Sequence, residues 1–191
     1  NRVVEGLPAS VQIGFQAEES PIITRSEQNA EYENRVDNIY VLVFDGAGDR
    51  HFGKFCTDGD GLSYVDGTTG HNSGTVFFTT TSLNDARIVG IANLTTTTTS
   101  TSYSITKATL DGIQNLNELK ALVMKMKSKS VYRGALFMMT GYAKDKNNPD
   151  SEVVTIPGGE GSTQTLNATL KLERTDAKVK FVVKTHPNPP T

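Results

Sequence analysis

Hydrophobic and polar residues follow two different patterns near the start of the chain. Apolar and polar residues alternate over residues 11–17, which predicts a strand with one buried face formed by Val11, Ile13, Phe15 and Ala17. Every residue from 39 to 44 is aliphatic or aromatic, and Asp45 and Gly46 then end the run. A run of this length and composition predicts a strand that is buried on both faces and is therefore central in its sheet.

Similar patterns predict further short strands and one helix. Strand signals lie at residues 75–79, 87–93, 153–156, 166–172 and 177–183. Residues 49–74, rich in Gly, Asp, Asn and Thr, predict either short strands or a long loop. Leucines and other apolar residues recur at helical spacing from Leu116, with Asn115 as N-cap, which predicts an amphipathic helix at about 116–127. Because strands and helices do not alternate, we expect an all-β fold, an antiparallel β-sandwich with one inserted α-helix.

The polar segments divide the chain into three parts. We expect a leader at 1–8, one domain at 9–185, and a Pro-rich linker at 186–191 that leads to a C-terminal domain absent from this chain. Between the first two strands, residues 18–34 are polar and turn-rich, with a charged tract around Arg25. This composition predicts an exposed connection that a protease can reach.

Composition and charge narrow the function classes. The 191 residues carry a net charge of -2, and the 19 Lys and Arg residues form no basic stripe, so we expect no nucleic-acid partner. No apolar run approaches the roughly 18 residues that a membrane-spanning helix needs. Cys56 is the sole cysteine and has no partner for an internal disulfide.

Candidate catalytic and metal-binding residues are scattered. His51, His71 and His186 lie in separate segments without zinc-ligand spacing, and residues 58–61 resemble half of a calcium loop without its remaining ligands. Cys56 with His71 could form a nucleophile and base, but no nucleophile motif surrounds the cysteine, and a packed thiol is the commoner outcome. We therefore predict no enzyme activity, no cofactor and no metal site.

Four segments, in order along the chain, resemble the N-terminal domain of the Bacteroidales fimbrillins, the family that includes the major and minor fimbrial subunits. They are residues 33–45 (ENRVDNIYVLVFD), 88–94 (IVGIANL), 137–141 (FMMTG) and 172–179 (LERTDAKV). Two features depart from the family pattern: Met138 replaces the usual proline, and the family's second β-sandwich domain is absent. The resemblance covers residues 9–184.

The resemblance implies a transthyretin-like Greek-key sandwich that is exported as a lipoprotein and polymerises at the bacterial cell surface or outer membrane. Its partners would be other fimbrial subunits, an Arg-specific protease, and host glycans or proteins. In such pilins the protease cuts after the first strand, which leaves and is replaced by a strand of the next subunit. Carried over to this chain, the cut lies between Arg25 and Ser26, with Arg35 as a poorer second choice, and the displaceable strand carries Val11, Ile13, Phe15 and Ala17.

Two alternatives stay open at this stage. Residues 11–17 could be an ordinary, permanent edge strand and Arg25 an ordinary loop arginine. The chain could also be a glycan- or protein-binding surface lipoprotein, such as a tip or accessory adhesin, which would bind through residues 49–74 and 93–103.

Overall fold

Nine strands and two short helices form the part of the chain described by the structure, a computed structural model. It describes residues 2–18, 34–65, 71–94, 105–122, 136–159 and 163–175. The elements are β1 (Pro8–Ala17), β2 (Asn38–Phe44), β3 (Arg50–Asp58), β4 (Gly61–Tyr64), β5 (Ser73–Thr81), β6 (Leu83–Ala92), α1 (Lys107–Asp111), α2 (Leu116–Ala121), β7 (Met139–Asp145), β8 (Val154–Ile156) and β9 (Thr163–Arg174).

The strands form one sheet that closes on itself as a barrel-like sandwich. Their order is β2-β3-β4-β5-β1-β9-β7-β6-β8, and β2 also pairs with β6, which closes the ring. The predicted all-β class is thus confirmed. The sheet departs from a purely antiparallel arrangement, because β1 runs parallel to β9.

Two groups of buried side chains stabilise the fold. The main core fills the inside of the sandwich and includes inward residues of β1, β2, β5 and β9. The outer core lies between the outer face of β2 and β6 and the segment that carries the two helices. Its buried members are Tyr40, Leu42, Phe44, Val89, Ile91, Leu94, Leu110, Ile113, Leu116 and Met138.

Strand β2 contributes to both cores, as its uninterrupted apolar run predicts. Ile39, Val41 and Val43 point into the main core, and the alternate residues Tyr40, Leu42 and Phe44 point into the outer core. On its two edges β2 pairs antiparallel with β3 and β6. The prediction of a central strand buried on both faces is confirmed.

The predicted helix begins at the expected residue but ends early. The side chain of Asn115 caps α2 by accepting a hydrogen bond from the backbone N–H of Glu118 at 2.9 Å. The helix stops at Ala121, because Leu122 has an extended backbone (φ -63°, ψ 121°). Helix α1 was not predicted; it is a single short stretch whose capping box is formed by Thr106 and Thr109. The expectation of one helix at 116–127 is therefore wrong in number and length.

Most predicted strands are present, with longer bounds. Residues 49–74 supply β3 and β4 rather than a long loop. Strand β7 contains Thr140 and Gly141, the last two residues of the fimbrillin-like segment 137–141. A Cβ atom on Gly141 would lie within van der Waals overlap of the Lys171 carbonyl, so the close approach of β7 to β9 requires glycine. The predicted strand at 177–183 lies outside the described residues.

Candidate functional site

Strand β1, which the sequence marks as the displaceable strand, lies inside the sheet. It pairs antiparallel with β5 from Pro8 to Gln16 and parallel with β9 from Ser10 to Ala17. The expectation that residues 11–17 form an edge strand is therefore wrong, and whether the strand is permanent or displaceable stays a prediction. Taking β1 out of this sheet would expose the edges of two neighbouring strands and open the ring.

The inward face of β1 is completely buried. Val11, Ile13, Phe15 and Ala17 are 0–3% exposed, and they alternate with the polar outward face as predicted. The strand begins earlier than the sequence indicated, because Ala9 is also inward and 3% exposed. The alternation extends to Ala9. The sequence nevertheless predicted a later start, because the preceding Leu7 and Pro8 resemble the end of a leader.

The pairing of β1 with β9 contains an irregularity. Gln12 pairs with Thr165, yet Gly14 pairs with Thr169, so β9 has two extra residues opposite the middle of β1. A bulge of this kind bends the strand that carries it. Leu166 and Ala168, on either side of this bulge's centre, are both buried in the main core.

An aromatic cluster covers the C-terminal half of β1. The ring of Phe15 meets the ring of Tyr64 edge-on, with 6.3 Å between centroids, and Tyr64 stacks on His71 at 4.0 Å. The Tyr64 hydroxyl donates a 2.7 Å hydrogen bond to the carbonyl of Val36, just before β2. Burial, and then the nearby Asp37 and Asp58 carboxylates, raise the pKa of Tyr64 to about 12.

The N-terminal segment, residues 2–7, is hydrogen-bonded to the rest of the fold. It lies against the latch turn, which we define as Ser82, between β5 and β6, together with residues 83–85 at the start of β6. The buried Ser82 donates its backbone N–H to the Leu7 carbonyl at 2.7 Å and accepts the Gly6 N–H at 3.0 Å. Residues 2–7 therefore anchor the start of β1, although their composition predicts a simple leader.

The C-terminal end of β1 is held by its two neighbours. Ala17 donates its N–H to the Asn72 carbonyl at 2.8 Å, and Glu18 donates its N–H to the Leu172 carbonyl at 2.9 Å. The Glu18 carboxylate also lies 3.8 Å from the ammonium group of Lys171. The predicted cut between Arg25 and Ser26 lies beyond this point, outside the described residues.

The second candidate cut, after Arg35, lies in bonded backbone. The carbonyl of Arg35 accepts a 2.8 Å hydrogen bond from the Asn93 side chain, and the next N–H, of Val36, donates to the His71 carbonyl at 3.1 Å. Val36 is fully buried. A protease would have to unfold this segment locally before it could cut there, which agrees with Arg35 as the poorer choice.

The remaining candidate chemical groups have structural contacts. Cys56 is fully buried in the main core, and burial raises the pKa of its thiol to about 11, which disfavours the nucleophilic thiolate. The His51 ring lies 2.9 Å from the Thr81 hydroxyl, and Asp60 pairs with Lys54 at 2.9 Å. Within the described ranges, His, Cys, Asp and Glu side chains form no group of three or more that could hold a metal ion.

Met138 and Met139 are divided between the two cores. Met139 is in the main core, whereas Met138 is in the outer core and lines a mainly apolar cavity of about 240 Å³. The cavity lies between β6, β7 and the helical segment. His186 and residues 95–103 of the second proposed binding loop lie outside the described part of the chain.

Comparisons with known proteins relate this fold to bacterial adhesion structures. No family model matches the chain, and the search of curated proteins found no match. The truncated tip fimbrial protein Mfa3 from Porphyromonas gingivalis matches with a TM-score of 0.53 and 16% identity, over 87% of this chain and 48% of that one. A candidate cell adhesion protein from Parabacteroides distasonis has the same TM-score and identity, over 89% of this chain and 46% of that one.

This chain thus spans about half the length of the solved proteins that it matches. At 16% identity the likeness shows a shared fold. Among the described helices, none is long and apolar enough to cross a membrane. The chain has the fold of a Bacteroidales fimbrial protein, as the resemblance of its sequence motifs to the fimbrillins predicts.

Proposed function

We propose that this chain is a structural subunit of bacterial cell-surface fimbriae that polymerises by exchange of β1. An Arg-specific protease cuts between Arg25 and Ser26, and β1 leaves with the residues before it. A strand of the next subunit then fills the groove that β1 leaves between β5 and β9. The observation that carries the proposal is the position of β1: it is an interior strand with a fully buried apolar face, and its chain continues directly into the predicted protease-accessible connection.

The size of the buried face indicates how exchange would proceed. Burying a Val, Ile or Phe side chain contributes about 1.5–3 kcal/mol, so Val11, Ile13 and Phe15 together contribute roughly 5–9 kcal/mol. That sum is comparable to the total stability of a typical domain, about 5–15 kcal/mol. A subunit with an empty groove would therefore be barely stable. The cut chain should keep β1 until another strand displaces it.

The same proposal includes the export, the location and the domain organisation of the chain. The subunit is exported as a lipoprotein to the outer membrane and assembles with other fimbrial subunits at the cell surface. The domain at 9–185 has a transthyretin-like Greek-key arrangement, and residues 186–191 lead to a further domain. No catalytic reaction is proposed.

The proposal is tested by cutting the folded protein with an Arg-specific protease and offering a labelled peptide with the sequence of residues 2–18. Mass spectrometry should find the cut after Arg25, and the peptide should replace β1 in the cut protein but not in the uncut protein. The Arg25→Ala variant should resist both steps, and Arg2→Ala, in which the substituted arginine precedes β1, is the matched control. Cut protein that loses residues 1–25 without losing stability, or that accepts no peptide, would contradict the proposal.

A second candidate function is binding of a glycan or a host protein by a tip or accessory adhesin. A cavity of about 460 Å³ with both polar and apolar lining favours it; the cavity lies beside the end of β1 and is lined by Glu18, Tyr142, Asp150, Lys171 and Glu173, among others. An aromatic ring beside carboxylates and ammonium groups is suited to sugar hydroxyls. Binding of the uncut protein on a glycan array, lost in Tyr142→Ala, would favour this function.

A further inference from the structure

The latch turn holds the N-terminal segment largely through backbone atoms. The Ser82 hydroxyl accepts the Leu7 N–H at 2.9 Å and donates to the Val4 carbonyl at 2.7 Å. The Asn84 side chain binds both backbone groups of Val3: its oxygen accepts the N–H and its nitrogen donates to the carbonyl, each at 2.9 Å. These contacts reach backbone atoms of Val3, Val4 and Leu7, so they select no side chain at those positions. The chain turns at Gly6, whose φ of +82° favours glycine there.

One contact does select a side chain. The Glu5 carboxylate accepts the backbone N–H of Asn84 at 2.9 Å and its side-chain N–H at 3.0 Å. These bonds, the backbone one first, lower the pKa of Glu5. A side chain without an acceptor oxygen at this place would leave both Asn84 donors to water, and an ionised carboxylate is the strongest acceptor among the side chains.

The latch turn and the groove have a fixed spacing. Glu5 lies four residues before Ala9, the first buried residue of β1, and the Pro8 carbonyl between them accepts the Gly159 N–H at 3.0 Å. At Gly158 a Cβ atom would come within 2.8 Å of the Leu7 Cβ, so the chain passes through a narrow gap there. A shift by one residue would turn the buried face of a strand outward, and it would also move the acidic side chain away from Asn84.

We propose that the latch turn is the recognition site for the beginning of the replacement strand, which comes from another fimbrial subunit and carries an acidic residue four positions before its first buried side chain. This inference rests on the proposed function. The carboxylate on Asn84 sets the register of the incoming strand, and the groove then takes apolar groups at alternate positions. At the positions of Ala9, Val11, Ile13, Phe15 and Ala17 these groups are small, β-branched, β-branched, aromatic and small.

The test measures recognition of the incoming strand independently of cleavage between Arg25 and Ser26. The full chain receives a sequence-specific protease site between Ser20 and Pro21, is cut there, and is offered fluorescent peptides with the sequence of residues 2–18. The peptides are the native one, a Glu5→Ala peptide, a peptide in which Val4 and Glu5 are exchanged, and a Glu18→Ala control with the same charge as Glu5→Ala. Fluorescence anisotropy measures how fast each bound peptide leaves.

We expect the Glu5→Ala and exchanged peptides to leave about fivefold faster than the native one; the factor is modest because the Glu5 carboxylate is exposed and water can replace its two hydrogen bonds. The Glu18→Ala peptide should leave at nearly the native rate. In the Asn84→Ala protein the difference between native and Glu5→Ala peptides should shrink, whereas Asn117→Ala, an exposed residue on α2, should preserve it.

Two results would overturn the inference. Equal rates for all four peptides, or a Glu5→Ala effect of the same size in Asn84→Ala, would show that the latch turn does not recognise the acidic residue, while exchange itself stands. Failure of every peptide to replace β1 would overturn the proposed function and this inference together.

Discussion

The first two strands of the chain are both fully buried on the inside, but they differ in what lies on their outer faces. In β1 the outward residues are Ser10, Gln12, Gly14 and Gln16, and among the described residues no second core covers them. In β2 the outward Tyr40, Leu42 and Phe44 enter the outer core beneath the helical segment. Under the proposed function, β1 is the strand that another apolar strand replaces from outside, whereas β2 is enclosed by two layers.

This difference follows from the sequence pattern. Alternation in β1 leaves a polar face, and the uninterrupted run in β2 requires a cover on each side. The two strands are joined by residues 18–34, where the predicted cut lies. In the proposed mechanism an interior strand of the sheet is therefore the one that exchanges, because no second core among the described residues covers its outer face as one covers β2.

The largest expected effect is on the enclosed strand. Phe44→Ala should lower the free energy of unfolding by about 3–5 kcal/mol, because it removes a fully buried ring from the outer core. Phe77→Ala on β5 is the control, since that ring is 41% exposed and should cost under about 1 kcal/mol. Denaturant unfolding measures both. Equal losses would mean that the outer core does not enclose β2.

Substitutions of two glycines test how closely β1 packs against β5. Gly74→Ala on β5 should cost about 1–3 kcal/mol, because its Cβ atom would overlap the Ser63 carbonyl and lie 2.8 Å from the Phe15 ring. Gly14→Ala on β1 should be close to neutral, since the nearest atom is 3.9 Å away. Thermal unfolding of the two variants compares them. A larger loss for Gly14→Ala would contradict the packing of β1 on β5.

The pH dependence of stability reports on the aromatic cluster at the end of β1. The raised pKa of Tyr64 means that the folded state favours the neutral phenol, so this contribution is complete below pH 10 and is lost as the pH rises to about 12. The unfolding free energy of the wild type should fall more steeply from pH 10 to 12 than that of Tyr64→Phe. Identical slopes would show that Tyr64 is not buried against β1.

The smallest expected effect concerns the ion pair at the end of β1. Lys171→Ala removes the 3.8 Å contact with Glu18, but both side chains are about half exposed. Such pairs contribute about 0–1 kcal/mol. Stability should change by less than about 0.5 kcal/mol when measured by denaturant unfolding. A loss above about 2 kcal/mol would mean that charge, rather than apolar burial, holds β1.

Local sequence patterns predicted where the strands lie better than they predicted which strands pair with each other. The inward residues of β1, the double burial of β2 and the alternation around Leu170 could be predicted, because each follows from period-two or continuous hydrophobicity. The parallel pairing of β1 with β9 joins residues more than 150 positions apart, which no local pattern encodes. Helix α2 ends early because Leu122 turns extended, although its apolar spacing continues beyond it.

The sequence predicted the buried apolar residues of the candidate site but not the polar contacts that hold its N-terminal segment. Alternation identified Val11 to Ala17. The latch turn binds through the side chains of Ser82 and Asn84, two common polar residues, and its partner is a segment that resembles a leader in sequence. Backbone hydrogen bonds to residues 2–7 leave no compositional signal. The predicted cut at Arg25 lies outside the described residues and stays a prediction.

The account depends most directly on whether β1 can be replaced and β2 cannot. Ile13 on β1 and Ile39 on β2 are matched residues, both fully buried in the main core. Ile13→Ala and Ile39→Ala should each lower the unfolding free energy by about 2–5 kcal/mol in the uncut protein. Both variants are then cut between Ser20 and Pro21, at the inserted protease site, and incubated with excess native peptide of residues 2–18.

The stability of each complex is measured by denaturant unfolding at one fixed peptide concentration and compared with cut wild-type protein. Ile13→Ala should recover wild-type stability, because the peptide supplies the missing side chain, and Ile39→Ala should stay destabilised. If Ile13→Ala does not recover, β1 is a permanent part of the fold and the exchange mechanism is wrong.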